Sequence, residues 1–142
     1  MTTIAWDGET LAADSLVTEQ GNRVGHVSKV GAIGSVLWGV CGGIDQLEKF
    51  RTWFCSGMIG DAPPMKSSGD REAQAIVIHD GRVLSLSVDG WDSIRSDCYA
   101  MGSGKEAALG AMALGHTAEE AVRAACAIDI YTGGDVTVLK AA

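Results

Sequence analysis

Of the three Asp-Gly dipeptides, Asp7-Gly8 and Asp80-Gly81 stand between short apolar runs. Asp-Gly in that setting is a strong short-range signal for an antiparallel hairpin. The first turn joins Thr2–Trp6 to a strand over Thr10–Val17, and the second joins Ala75–His79 to Val83–Val88. Apolar stretches Val24–Ile33 and Val36–Cys41 flank a further turn at Gly34-Ser35, and Gly42-Gly43 breaks the pattern. Asp45 then reads as the N-cap of a helix to about Ser56, whose Leu47, Phe50 and Phe54 recur at 3–4 spacing with Trp53 beside them. Gly57–Asp70 carries both prolines and little periodicity, as a loop does. A short strand near Cys98–Met101 leads into Gly102-Ser103-Gly104 and an Ala-rich helix with Gly115 as its C′ residue. Thr117-x-x-Glu120 is a capping box for the next helix, whose Ala118, Ala121, Val122, Ala125 and Ile128 share an inward face. Thr132-Gly133-Gly134 ends it before a last strand, Val136–Leu139. Antiparallel hairpins with helices in blocks define an α+β layered architecture, read as one domain over residues 1–142.

Eleven basic against eighteen acidic residues give a net charge of −7, which argues against a general nucleic-acid binder. No apolar stretch approaches the ~20 residues of a membrane span, and the first residues lack the basic start and apolar core of a secretory signal. The expected compartment is therefore cytoplasmic. Cys41, Cys55, Cys98 and Cys126 are widely spaced with no C-x-x-C pair, so they read as small buried hydrophobes, not as metal ligands. His26, His79 and His116 have no G-x-S-x-G elbow to serve, and no phosphate loop or dinucleotide fingerprint is present.

Thr2 follows the initiator Met1, which is normally removed before a small residue. Removal leaves one residue holding a hydroxyl and a free α-amine. An α-amine ordinarily titrates at about 7.7–8, so it can accept the hydroxyl's proton near neutral pH. Nucleophile and base then sit on the same residue. With Met1 retained, that nitrogen is an amide and the base is gone.

Six blocks follow in order along the chain: Thr2-Thr3-Ile4-Ala5, Leu11-Ala12-Ala13-Asp14-Ser15, Ser28-Lys29-Val30, Val40-Cys41-Gly42-Gly43, Met101-Gly102-Ser103-Gly104 and Asp129-Ile130-Tyr131-Thr132-Gly133-Gly134. Together they resemble proteasome β subunits and HslV, the peptidase of the bacterial HslUV protease. The resemblance covers nearly the whole chain and implies a four-layer αββα N-terminal-nucleophile (Ntn) hydrolase sandwich. It also implies a threonine-type endopeptidase that needs no cofactor and no metal.

In that resemblance Thr2 is the nucleophile, Lys29 matches the catalytic lysine, and Asp14 matches the acid that pairs with it. Gly42 matches the residue whose N–H lines the oxyanion hole. Ser103, Asp129 and Thr132 match an outer set that hydrogen-bonds the threonine's amine and hydroxyl. Independently, a carboxylate in the apolar stretch around Asp14 needs a buried partner, and Asp129 at a helix C-terminus opposes the helix dipole and so calls for a cation. Val27, Gly31, Val40 and Ile44 are candidates for a small apolar substrate pocket.

The chain is shorter than a typical HslV between the first helix and Ala75, where the family has a second helix, so the first helix layer is expected to be shortened. That outer layer contributes in the family to contacts between stacked rings and to docking of an ATPase. The resemblance implies a homo-oligomeric ring, a peptide or unfolded-protein substrate and an AAA+ ATPase unfoldase as candidate partner. Two other readings share the scaffold: a catalytically inactive binding or assembly protein, and an Ntn amidase acting on a small amide.

Overall fold

The computed structural model describes residues 2–141. The opening hairpin joins β1 (Thr3–Trp6) to β2 (Thr10–Ala13), and Asp7 fastens its turn by accepting from the backbone N–H groups of Glu9 and Thr10. The chain then leaves this sheet at Asp14 to form a separate hairpin, β3 (Leu16–Glu19) with β4 (Asn22–His26). What the sequence suggests as two long strands, Thr10–Val17 and Val24–Ile33, is thus four. The first break falls at the buried Asp14, whose carboxylate takes the Leu16 N–H that a continuous ladder would have used, and the second at residues 27–29, between β4 and β5.

β5 (Val30–Ile33), β6 (Val36–Cys41), β7 (Gln74–His79), β8 (Arg82–Ser87) and β9 (Gly90–Ile94) form a five-stranded antiparallel meander in that order. β10 (Tyr99–Gly102) and β11 (Thr137–Lys140) complete a four-stranded sheet of order β10-β1-β2-β11. Between the strands run α1 (Ile44–Cys55), α2 (Lys105–Ala113) and α3 (Ala118–Ile128).

Strand periodicity of two divides the side chains among three cores. Ile4, Trp6, Leu11 and Ala13 of one sheet meet Val30, Leu37, Ile76, Ile78 and Val83 of the other between the sheets. The alternate residues Ala5, Ala12 and Ala100 face the opposite way, and their small size lets α2 and α3 approach through Ala108, Met112, Ala118, Ala121 and Val122. On the far face of the meander, Trp38, Val40, Ala75, Val77 and Leu86 pack under Leu47, Phe50 and Phe54 of α1. The layers are therefore α1, sheet, sheet, α2/α3: the αββα order.

The first helix layer is short. Among the described residues between α1 and β7, the only regular pairing is an isolated bridge from Lys66 to Glu72. This segment closes over α1: Met58, Ala62 and Met65 pack on the outer core, and Trp53 Nε1 donates to the Gly60 carbonyl at 3.2 Å. The N-cap of α1 is Gly43, one turn-start earlier than Asp45, which lies in the first turn. A glycine cap offers no side-chain acceptor to the first-turn N–H groups; the reciprocal half of a capping box is present, with Gln46 accepting from Gly43 N–H at 2.7 Å.

Two further expectations change, and one strand is new. Ile128 is 74% exposed, because α3 ends there and its last turn projects beyond the sheet. None of the four cysteines is fully buried, and Cys55, on the outer turn of α1, is exposed. β9 escapes a hydrophobic reading because, as an edge strand, it carries Asp92 and Ser93 outward.

Phe54 has no exposed surface and stacks on Trp38 with ring centroids 5.1 Å apart and planes 12° from parallel. Phe54→Ala should destabilise the fold by about 3–5 kcal/mol, read as a lower urea midpoint at unchanged m-value.

Candidate active site

The site is built where β1 begins. Continuing the alternation of β1 backwards puts the Thr2 side chain on the same side as Ile4, between the sheets, and Thr3 on the side of α2 and α3. Thr2 is 3% exposed and borders two cavities. One, of ≈ 260 Å³, is walled by Leu16, Val27, Lys29, Val40, Ile44 and Leu47; the other, of ≈ 400 Å³, is walled by Cys41, Gly42, Gly102, Ser103 and Tyr131. Gly42 and Arg71 border both.

Lys29, at the junction of β4 and β5, enters the first cavity almost fully buried, its Nζ 3.0 Å from each Asp14 carboxylate oxygen. Burial lowers the Lys29 pKa, and Asp14 opposes that by favouring the ammonium. Asp14 has no exposed surface and also accepts from the backbone N–H groups of Thr3 at 2.9 Å, Leu16 at 3.3 Å and Gly133 at 3.1 Å. One carboxylate thus joins the start of β1, the start of β3, the lysine and the loop after α3. Such saturation is what a carboxylate in a dry interior requires.

Beneath Thr2 lies Cys41. Burial pushes its thiol up to about 12, against the lowering effect of the Lys29 ammonium and of a hydrogen bond with the Thr2 side chain. The thiol therefore stays protonated beside the candidate nucleophile.

Val40 N–H donates to the Lys29 carbonyl at 3.0 Å. Two residues on, the alternation of β6 directs Gly42 N–H to the same edge, where it borders the cavities beside Thr2. Gly42 sits at φ 154°, and a Cβ there would lie 2.8 Å from Gln46 Oε1.

On the helix side, Asp129 accepts from Ser103 Oγ at 2.5 Å and from Thr132 Oγ1 at 2.6 Å through one oxygen, and from Tyr131 N–H through the other. Burial raises its pKa, but these hydrogen bonds outweigh burial and the net shift is downward. Thr132 gives its single proton to Asp129, so the 2.7 Å contact with Thr3 is donated by the Thr3 hydroxyl. Ser103 also lies 3.4 Å from the Thr2 carbonyl oxygen. The outer trio is therefore assembled, but its contacts among the described residues reach the Thr2 carbonyl and the Thr3 hydroxyl, not the Thr2 hydroxyl. Strand alternation accounts for this, since Thr3 faces the helices and Thr2 does not. Among the described residues Asp129 is held by two hydroxyls and an N–H, and the positive chain terminus adds to the lowering of its pKa, as the expectation of a cation implies.

Val27, Val40 and Ile44 line the first cavity, whereas Gly31 does not. A Cβ on Gly31 would come within 2.4 Å of the Trp38 ring, so its missing side chain makes room for that indole. Arg71 carries no sequence signature of a site, and Cys41 none beyond its place in the Val40–Gly43 block. For Gln46 a signal existed, since it is a polar residue on the buried stripe of α1. Among the described residues no group of three or more His, Cys, Asp or Glu side chains is placed to hold a metal, and no helix is long and apolar enough to cross a membrane.

An αββα sandwich with a threonine at the start of its first strand, facing a buried lysine–aspartate pair, has the fold of the HslV-like Ntn hydrolases. Among solved structures the chain is similar to the Thiobacillus denitrificans protein BPH in complex with epoxomicin, with a TM-score of 0.74 at 19% identity over 99% of this chain and 98% of that one. A second BPH structure gives 0.68 at 19% identity, again over 99% and 98%. The eukaryotic HslV of Trypanosoma brucei gives 0.63 at 22% identity over 98% of both chains. No protein-family model and no curated protein matches the sequence. At these identities the likeness carries the fold.

Proposed function

We propose that the chain is a threonine-type endopeptidase whose nucleophile is Thr2 once Met1 has been removed. The observation that carries this reading is the buried Thr2 between two cavities, with Lys29, paired to Asp14, lining one of them and Gly42 bordering both. In the proposed reaction Thr2 Oγ1 attacks the peptide carbonyl carbon while its own α-amine takes the hydroxyl proton. That amine passes the proton to the departing amine as the peptide bond breaks, leaving an acyl ester on Thr2. Water, deprotonated by the same amine, then hydrolyses the ester and restores the hydroxyl.

Lys29 supplies positive charge that favours loss of the hydroxyl proton, and Asp14 holds Lys29 in place. Gly42 N–H holds the developing oxyanion, a donor worth about 2.7–4 kcal/mol in comparable enzymes. Leu16, Val27, Val40 and Leu47 give the smaller cavity an apolar lining for one substrate side chain. Ser103, Asp129 and Thr132 keep the start of β1 in place through the Thr2 carbonyl and Thr3. The enzyme acts as a cytoplasmic homo-oligomeric ring, with an AAA+ unfoldase as candidate partner. Exposed Leu114, Ile128 and Ile130 are apolar surface that neighbouring copies would cover.

Intact mass spectrometry before and after incubation with a peptide β-lactone tests this. Loss of one methionine and one adduct mapped to Thr2 is the expected result. A protein that retains Met1 and takes no adduct would overturn the peptidase reading.

A further inference from the structure

The geometry points to Gln46 as a positioning residue that holds the oxyanion loop, and thereby makes the segment between α1 and β7 part of the active site. This rests on the peptidase reading only for its kinetic consequence. Gln46 is a polar side chain with 3% exposure, and each end of its amide is used. Its Oε1 accepts from Gly43 N–H at 2.7 Å, while its Nε2 donates to the Arg71 carbonyl at 2.8 Å and to the Met65 carbonyl at 3.4 Å.

The oxygen end also forms the floor of the loop. A Cβ on Gly42 would meet Gln46 Oε1 at 2.8 Å and Ala73 Cβ at 3.1 Å, so Gly42 rests directly on both. The peptide that carries the proposed oxyanion donor is therefore backed by Gln46 and by the chain just before β7. A loop free to move by about 1 Å would lose the donor's aim, because such a site depends on geometry fixed before the reaction.

The nitrogen end fixes the segment itself. Arg71 is pinned a second and third time, its carbonyl accepting from Ser67 N–H at 2.9 Å and its N–H donating to Ser67 Oγ at 3.0 Å. The Arg71 side chain then borders both cavities beside Thr2. One buried amide thus couples the floor of the oxyanion loop to a cation on the rim of the cleft. The segment, though it forms no helix, is tied to the site from within.

The test uses mature protein carrying Gln46→Met, which removes both ends of the amide, or Gln46→Glu, which keeps the acceptor and removes the donors. With a peptide β-lactone, Gln46→Met should lower the maximal acylation rate at least tenfold and change the half-saturating concentration by less than threefold. Gln46→Glu, which keeps the bond to Gly43 but releases the segment, should recover only part of that rate. Equal rates in parent and Gln46→Met would overturn the proposal. Amide hydrogen exchange reads the same bridge without any reaction. Gly43, whose N–H bonds to Gln46, should lose protection in Gln46→Met but keep it in Gln46→Glu, while residues 65–73 lose protection in both. A parent protein that takes no β-lactone would end the peptidase reading, and the exchange pattern would still decide for or against the bridge. If Gln46→Met does not fold, Gln46→Glu decides it: unchanged exchange over 65–73 overturns the bridge.

Discussion

Lys29→Met should cost the protein both its reactivity and a large part of its stability. The ammonium lies 3.0 Å from both oxygens of Asp14, and neither side chain has appreciable contact with water. Removing one partner of a buried pair leaves the other charge uncompensated, a loss of about 3–5 kcal/mol. Three backbone N–H groups still bond to Asp14, which puts the expected loss at the lower end of that range, about 3 kcal/mol. On the proposed function, the rate of adduct formation at Thr2 should fall by about 10²–10³-fold, the span typical of a lost preorganised electrostatic group.

The double variant Asp14→Asn/Lys29→Met separates the two effects. Replacing the carboxylate by a neutral amide removes the orphaned charge, so the urea midpoint should rise again above that of Lys29→Met. Reactivity should not return. A Lys29→Met protein that is destabilised yet acylated at the parent's rate would confine the pair to a structural role.

Asp14 also shows why part of this molecule can be read from its sequence. A carboxylate among Leu11, Ala12 and Ala13 announces a buried partner wherever it is placed, and Lys29 answers it. The Asp-Gly hairpins and the Thr117/Glu120 capping box are equally local: their hydrogen bonds lie within four residues, so short-range chemistry specifies them. Glu120 N–H donates to Thr117 Oγ1 at 3.2 Å and Thr117 N–H to Glu120 Oε1 at 3.0 Å, the reciprocal pattern the spacing implies. The three-core division follows from the same economy, since Ile4 and Ala5 differ in size because they face different layers.

What could not be read depends on partners distant in sequence. Gly31 is small for the sake of Trp38, not for a substrate, and nothing near Gly31 distinguishes the two. Gln20, at φ 49°, turns the β3–β4 hairpin together with Gly21, although glutamine is not a residue that signals a turn. Asp129 also finds hydroxyl donors at Ser103 and Thr132 that a helix-dipole argument does not foresee, because β10 brings Ser103 to it across 26 positions. Gln46 is the sharpest case. Its place on the buried stripe of α1 marks it as anomalous, but its role appears only when Gly43, Met65 and Arg71 converge on it.

Gly102→Ala should disable the site more completely than its single methyl group suggests. Gly102 pairs with Thr3 in the register of β10 on β1, at φ 100°, a conformation that costs an alanine about 1–3 kcal/mol. A Cβ there would lie 1.8 Å from the Thr2 carbonyl oxygen and 2.6 Å from its carbon, so backbone must move. Overpacking of this kind adds a further ~1–3 kcal/mol. The atom displaced is the carbonyl of the candidate nucleophile's own residue, and the next neighbour is Cys41 Sγ at 3.3 Å, directly beneath it. A shift of about 1 Å in a reacting group costs on the order of 10²-fold in rate, so β-lactone acylation should fall by at least that factor in the protein that remains folded. Gly110→Ala is the matched control: it lies in α2 with nothing within 4 Å of the added methyl. There the same substitution should leave acylation unchanged and stabilise the protein by about 0.4–1 kcal/mol. Equal acylation in the two variants would mean that the start of β1 yields without consequence, and that the reacting group is not on Thr2.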